Sequence, residues 1–466
     1  MTESKQTPPP GNAATAAPTA PTKPTWSVGT LTYTSGGLVL LFCWLLWGDV
    51  GYFIADRSIY PSMQVMLKKY QASDLVTGLL LTTVPQIITM FLLPMVNLRS
   101  DRHRGRFGRR IPFILGTVPF AFAALFGLAC TPELAPWLIR TLALTTVSEK
   151  TVVILLFGTF FTLFEFSRVT CYSVFNGLAN DVVPRAMISR FFALFRVFSL
   201  GAGMFYGHFL FAHVKTHLFT IFVSIGALYA VSVTMMCLFI KEGSYPPPAQ
   251  TSQNRGFIAG MKTYLRDCFT QPIYIWTFVS ITLTMVAFAP INVYSYYLAE
   301  SLNVSEKTFG DLIALQLLIS LAQSYPVGWL ADKFHPVRLT IVALALYTLA
   351  ILFAFLFVKD ATTFCYAFVI CGSFAGTYLT ASTPLGPVLF PKAKFGTFDS
   401  AKWSCISLGT MLVGPACGKL LDFSHHQYRY IYLIAFCFVA LSLLATLVVY
   451  KEFMKLGGPK GYQAPE

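Results

Sequence analysis

Twelve apolar runs, each near the roughly 20 residues that carry a helix across a bilayer, constrain this chain more than any other feature. Punctuated by charge, Gly or Pro, they lie at about 33–58, 75–98, 111–131, 152–178, 189–212 and 218–240, then at about 272–299, 309–331, 337–358, 362–389, 397–418 and 429–450. The pattern predicts an all-α membrane protein of twelve transmembrane helices in two six-helix bundles, 33–240 and 272–450. Flanking these are a disordered tail over 1–32, rich in Pro, Ala and Thr, a linker over 241–271 and a C-terminal tail over 451–466.

Composition excludes most alternatives. With 55% hydrophobic and 12% charged residues and a mean hydropathy of +0.62, the chain has too little charge to cover a soluble surface. The net charge of +14 does not point to nucleic acid, because Lys and Arg sit in short tracts between apolar runs, where topology and anionic lipid explain them. The ten Cys show no C-x-x-C pair or metal-ligand spacing and read as small core residues. A phosphate-binding G-x-x-x-x-G-K-[ST] loop, an H-E-x-x-H motif and a convincing nucleophile–base pair are missing from the sequence, so neither an enzyme nor a cofactor is expected.

About 22 Lys and Arg fall in the even-numbered loops, both tails and the central linker, against about ten in the odd-numbered loops, which predicts cytoplasmic termini. In the linker, Phe257, Met261, Tyr264, Leu265 and Phe269 are spaced like one helical face, so it reads either as an interfacial helix turning Lys262 and Arg266 toward lipid headgroups or as unstructured chain.

The loop after the second run holds six Arg, including Arg102, Arg109 and Arg110, within Pro94-Met-Val-Asn97-Leu-Arg-Ser100-Asp101-Arg102-His-Arg104-Gly105-Arg106-Phe-Gly108-Arg109-Arg110-Ile-Pro112-Phe113. This resembles the cytoplasmic signature of the major facilitator superfamily. More narrowly, it is similar to that of the glycoside-pentoside-hexuronide cation symporters and sucrose-proton carriers, with Asn97 where that pattern has Gly. The corresponding place in the second half reads Gly328-Trp-Leu-Ala-Asp332-Lys333-Phe-His-Pro-Val-Arg338, a shorter version of the same signature. The resemblance implies the major facilitator fold, with two pseudo-symmetric halves. An Asp at a helix end near several Arg makes charge-assisted bonds able to hold one of two domain arrangements, so Asp101 and Asp332 are candidate latches. The alternative is that these Arg enforce topology alone.

Ionisable groups inside spans are costly and mark function. Asp49 and Asp56 share a face of the first span, and Gly48-Asp49 looks like the Gly-Asp pair of sugar symporters, whose carboxylate contacts substrate hydroxyls. Glu165 and Arg168 lie one turn apart in the fourth span, as an internal pair or as groups for sugar and proton. Asn176, Asn180, Asp181, Arg190 and Arg196 read as a gate or helix-end network. Asn292, Tyr297, Gln316 and Tyr378 offer polar contacts in the second half, and Trp47, with Trp44, offers an aromatic face. The expected substrate site is therefore Asp49, Trp47, Glu165, Arg168, Asn292, Tyr297, Gln316 and Tyr378. Sodium-coupled members of the resembled family carry carboxylates within the second span, whereas Leu93 precedes Pro94 here, so Asp49 or Glu165 with a proton is the expected coupling site.

The expectation is a monomeric secondary carrier in a cell membrane, taking up a small-molecule solute such as a sugar or glycoside with protons by alternating access. A proton-coupled efflux antiporter and a non-transporting sensor are the alternatives.

Overall fold

The computed structural model describes residues 25–143, 146–243 and 264–465. Among the described residues, twelve helices are long and apolar enough to cross a membrane. They are α1 (Ser35–Lys69), α2 (Asp74–Arg102), α3 (Ile111–Thr141), α4 (Glu149–Val182), α5 (Ile188–His213), α6 (Leu218–Phe239), α7 (Pro272–Ser301), α8 (Glu306–Phe334), α9 (Pro336–Phe357), α10 (Ala361–Leu389), α11 (Phe395–Phe423) and α12 (Tyr430–Lys455). We call the side where α6 ends and α7 begins the linker side, and its opposite the far side.

Several helices outrun their apolar stretches. The α1 helix continues through Arg57 and Pro61 to end at Lys68 and Lys69, and α3 continues through Pro132 and Pro136 to Thr141. Charge and proline mark these places as ends in the sequence, but Arg57 lies inside the protein rather than at an interface. At the N-terminus, Thr25–Val28 pairs antiparallel with Leu31–Thr34 as a hairpin, which corrects the disordered tail expected through residue 32. The hydroxyl of Thr34 then caps α1 by accepting the Gly37 N–H. Most of the linker, with Phe257, Met261 and Lys262, lies outside the described residues, while 264–269 are helical.

The two halves repeat each other in their packing. In the first, α1 packs on α5 and α6, α3 on α4 and α6, and α2 on α4. In the second, α7 packs on α11 and α12, α9 on α10 and α12, and α8 on α10, the same pairs displaced by six helices. Capping repeats as well. Ser73 and Ser148 cap α2 and α4, and Ser305 and Asp360 cap α8 and α10. Each satisfies an N–H that would otherwise lack an intrahelical partner.

Two symmetry-related seams join the halves, α2 with α11 and α5 with α8. Both are glycine contacts. A Cβ on Gly78 would meet the Gly414 carbonyl oxygen at 2.5 Å, and one on Gly207 would meet that of Gly310 at 2.8 Å. Each seam also carries a π-helical segment, Leu79–Thr83 in α2 and Tyr206–Leu210 in α5.

Candidate functional site

A cavity of about 640 Å³ lies between the halves, within the range of small-molecule sites. The first half lines it with Asp56, Arg57, Tyr60, Gln64, Gln86 and Arg168, and the second with Asn292, Gln316, Tyr347, Trp403, Thr410 and Tyr432. At its wall the Arg168 guanidinium donates from Nε and Nη2 to Glu165, at 2.8–3.0 Å, and from Nη1 to Asp56 Oδ1 at 3.3 Å. Helical spacing puts Glu165 and Arg168 on one face of α4, and α1 brings Asp56 to it. Glu165 is fully buried, whereas Asp56 and Arg168 keep 18% and 20% side-chain exposure, so solute reaches the triad through the latter two.

Of the residues expected to bind substrate, Arg168, Asn292 and Gln316 line the cavity, and Glu165 touches it through Arg168. Four others stand elsewhere. Asp49 is enclosed within the first half by Gly48, Tyr52, Cys171, Tyr172, Phe175, Val233 and Met236, with neither carboxylate oxygen bonded. The position differs from the expected one because α1 carries Asp49 about two turns nearer the linker side than Asp56, where α4 and α6 close over it. Trp47 is exposed outside the cavity lining. Tyr378 is fully buried with an unbonded hydroxyl, and Tyr297 bonds Thr77 across the far side of the seam. Asp56, Arg57 and the amide Gln86 are cavity groups that the sequence reading left out of the site. By sequence Asp56, with Arg57 beside it, falls near the outer end of the first span, but α1 runs on to Lys69 and so sets both at the cavity.

The Arg-rich loop forms a network within the first half. Arg110 bonds Asp101 at 2.7 Å, and Arg109 and Arg110 both bond Asp181 at the end of α4, at 2.6 and 3.1 Å. Glu242, just beyond α6, accepts the backbone N–H groups of Arg109, Arg110 and Ile111 at 2.9, 2.8 and 2.7 Å and so caps α3. Arg102 and Gly105 are exposed, and Gly105 bridges to Gly108, whose positive φ suits glycine. Asn97 accepts a bond from Ser173 on α4 at 2.6 Å. In the second half, Asp332 is exposed with no ion pair among the described residues, Lys333 lies over the Trp329 ring, and a Cβ on Gly328 would meet nothing.

Bonds between the halves concentrate on the far side. Asp422 accepts the Asp74 and Leu75 N–H groups, His426 and Tyr428 bond the Asp74 carboxylate, and Lys68 donates to Tyr428. Lys215, in the α5–α6 turn, pairs with Glu300 and Glu306. Burial alone would lower the Lys215 pKa, but its bonds to Glu306, Tyr296 and Glu300 outweigh that and raise it. Toward the linker side the described residues offer one hydrogen bond between halves, Arg196 to Thr380 at 3.2 Å. Among the described residues, bonds between the halves are thus denser on the far side of the cavity than toward the linker side.

Residues 277–462 match the family model for the Major Facilitator Superfamily. No curated protein sequence matches. Among solved structures, the chain is similar to a bacterial homologue of the iron transporter ferroportin in its inward-facing state, with TM-score 0.67, 16% identity, and 88% of this chain and 99% of that one covered. An outward-facing state of such a homologue gives 0.57 at the same identity and the same coverage. A bacterial homologue of the human lysosomal transporter Spinster, inward-facing and occupied, gives 0.64 at 15% identity, covering 92% and 99% of the two chains. The nucleoside transporter NupG gives 0.64 at 12% identity, covering 88% and 99%. Two six-helix halves around one cavity, with a family match over residues 277–462, give this multi-pass membrane protein the major facilitator fold.

Proposed function

We propose that the chain carries a small polar solute, a sugar or glycoside, by proton-coupled symport, with the linker side cytoplasmic. The observation that carries this reading is the Glu165–Arg168–Asp56 triad on the wall of the cavity between the halves. Two carboxylates share one guanidinium, so a proton arriving on either frees part of Arg168 to bond a solute hydroxyl. Amides and phenols of Gln64, Gln86, Asn292, Gln316 and Tyr432 suit a hydroxylated ligand, and Trp403 offers a face to a ring. The Arg-rich signature, similar to that of sugar symporters, supports the solute class, and the bias of basic residues supports the orientation. Asp49 lies away from the cavity, so the coupling role falls to the triad.

Uptake of a panel of sugars and glycosides into proteoliposomes with an imposed proton gradient tests the reading. The native protein accumulates its solute, while Glu165→Gln equilibrates it without accumulation. Full accumulation by Glu165→Gln would remove the triad from coupling.

A further inference from the structure

The charges on the cavity wall do not all belong to the triad. Arg57 follows Asp56 and lines the same cavity, but its side chain turns toward α5. There Nη2 donates to Ser199 Oγ at 3.2 Å, the guanidinium carbon stands 6.0 Å from the Phe53 ring centroid, and Nε is buried without a hydrogen-bond partner. Among the described residues no carboxylate pairs with it, because Asp56 turns to Arg168. Space beside it is held open by Gly203, where a Cβ would come 2.6 Å from Leu317 Cδ1 and 3.5 Å from Arg57 Cγ.

A guanidinium with five donors, one of them spent on a neutral hydroxyl, is costly to hold in a partly buried site unless an anion completes it. Its planar fork fits the paired oxygens of a carboxylate, sulfate or phosphate. We propose that Arg57 is the anion subsite of the cavity and that the transported solute carries one such group beside its hydroxyls. This rests on the transport reading above and extends it. The charges also fit coupling. Asp56 and Glu165 balance Arg57 and Arg168, so one anionic group entering with one proton leaves the site neutral.

The test uses the purified full chain, Arg57→Gln and Arg57→Lys, each checked for native helix content and monodispersity. Thermal shift and direct binding are measured with D-glucose, D-glucuronate, D-glucose 6-sulfate, D-glucose 6-phosphate, and inorganic sulfate and phosphate alone. At least one anionic probe is expected to stabilise the native protein and to lose about tenfold to a hundredfold in affinity in Arg57→Gln, with a smaller loss in Arg57→Lys. The anionic sugars separate carboxylate from sulfate and phosphate. If no anionic probe distinguishes the native protein from Arg57→Gln, whether by not binding or by binding both equally, the subsite is overturned. D-glucose stabilising both proteins alike, with that result, would keep the sugar reading and sink the anion. Arg57-dependent binding of inorganic sulfate or phosphate, with no sugar effective, would keep the anion and sink the sugar.

Discussion

Asp422, at the end of α11, accepts the backbone N–H groups of Asp74 and Leu75 at 3.0 and 3.1 Å, so a carboxylate of one half caps the first turn of a helix in the other. This ties far-side closure to the start of α2, where the first N–H groups have no partner of their own. Asp422→Ala should destabilise the closed far side by about 1–3 kcal/mol, enough to populate a second arrangement. Spin labels at Gln71 and Gln427 should report a longer distance population in the variant. An unchanged distribution would leave closure to other contacts.

The glycine seam makes a steric prediction. Gly310→Ala drives a methyl onto the Gly207 carbonyl oxygen where α5 meets α8. Neither backbone has a flexible group to yield, so the variant should open the far side. Cysteine substituted at Asp311, beside His208, should then label faster from that side. Equal labelling rates would mean that the seam relaxes locally.

Lys215 supports the same closure electrostatically. Its raised pKa means that its contribution is fully present below the ordinary lysine value of about 10.4 and is lost only as pH rises through the folded value. Lys215→Met should therefore lower stability by about 1 kcal/mol or less, and by the same amount from about pH 6 to pH 9. Thermal unfolding of both proteins across that range, at low and high salt, checks it. A cost that vanished within the window would move the interaction to another group.

On the linker side, burial ranks the carboxylates. Asp181 has 15% side-chain exposure and meets two Arg, while Asp101 has 52% and meets one. Asp181→Asn should cost more than Asp101→Asn, and Glu242→Ala, which strips three N–H groups of their acceptor, about 1–3 kcal/mol. Equal unfolding midpoints for all three would disprove the ranking. Asp101→Asn should also slow turnover more than it weakens solute affinity, because Asp101 is remote from the cavity lining.

Within the first half, Asp49 and Glu165 should respond oppositely to loss of the carboxyl group. Asp49→Leu removes two buried oxygens that bond nothing and should raise stability by about 1–3 kcal/mol. Glu165→Gln leaves Arg168 short of its main partner and should lower it. Melting temperatures decide the matter. A fall for Asp49→Leu would mean that Asp49 has a stabilising role.

The sequence by itself determined the twelve spans, their division into two repeating halves and the Arg-rich junction, because each depends on local chemistry. A run of apolar residues must leave water, and a charged loop must stay in it. The apolar runs begin at 75, 152, 309 and 362, two to four residues past the caps Ser73, Ser148, Ser305 and Asp360, but stop short at Arg57 and Pro132, where charge and proline lie inside longer helices. Tertiary structure alone decided which polar groups meet. Asp49 and Asp56 share a helical face in the sequence, yet α4 and α6 enclose the first while the second reaches the cavity. Asp422 finds Asp74 across 348 positions, and Glu242 finds the start of α3 across 131–133. The physical reason is that hydropathy fixes whether a helix enters the membrane, while its rotation and depth within the bundle are set by the packing of every neighbour, at seams as close as Gly207 on Gly310.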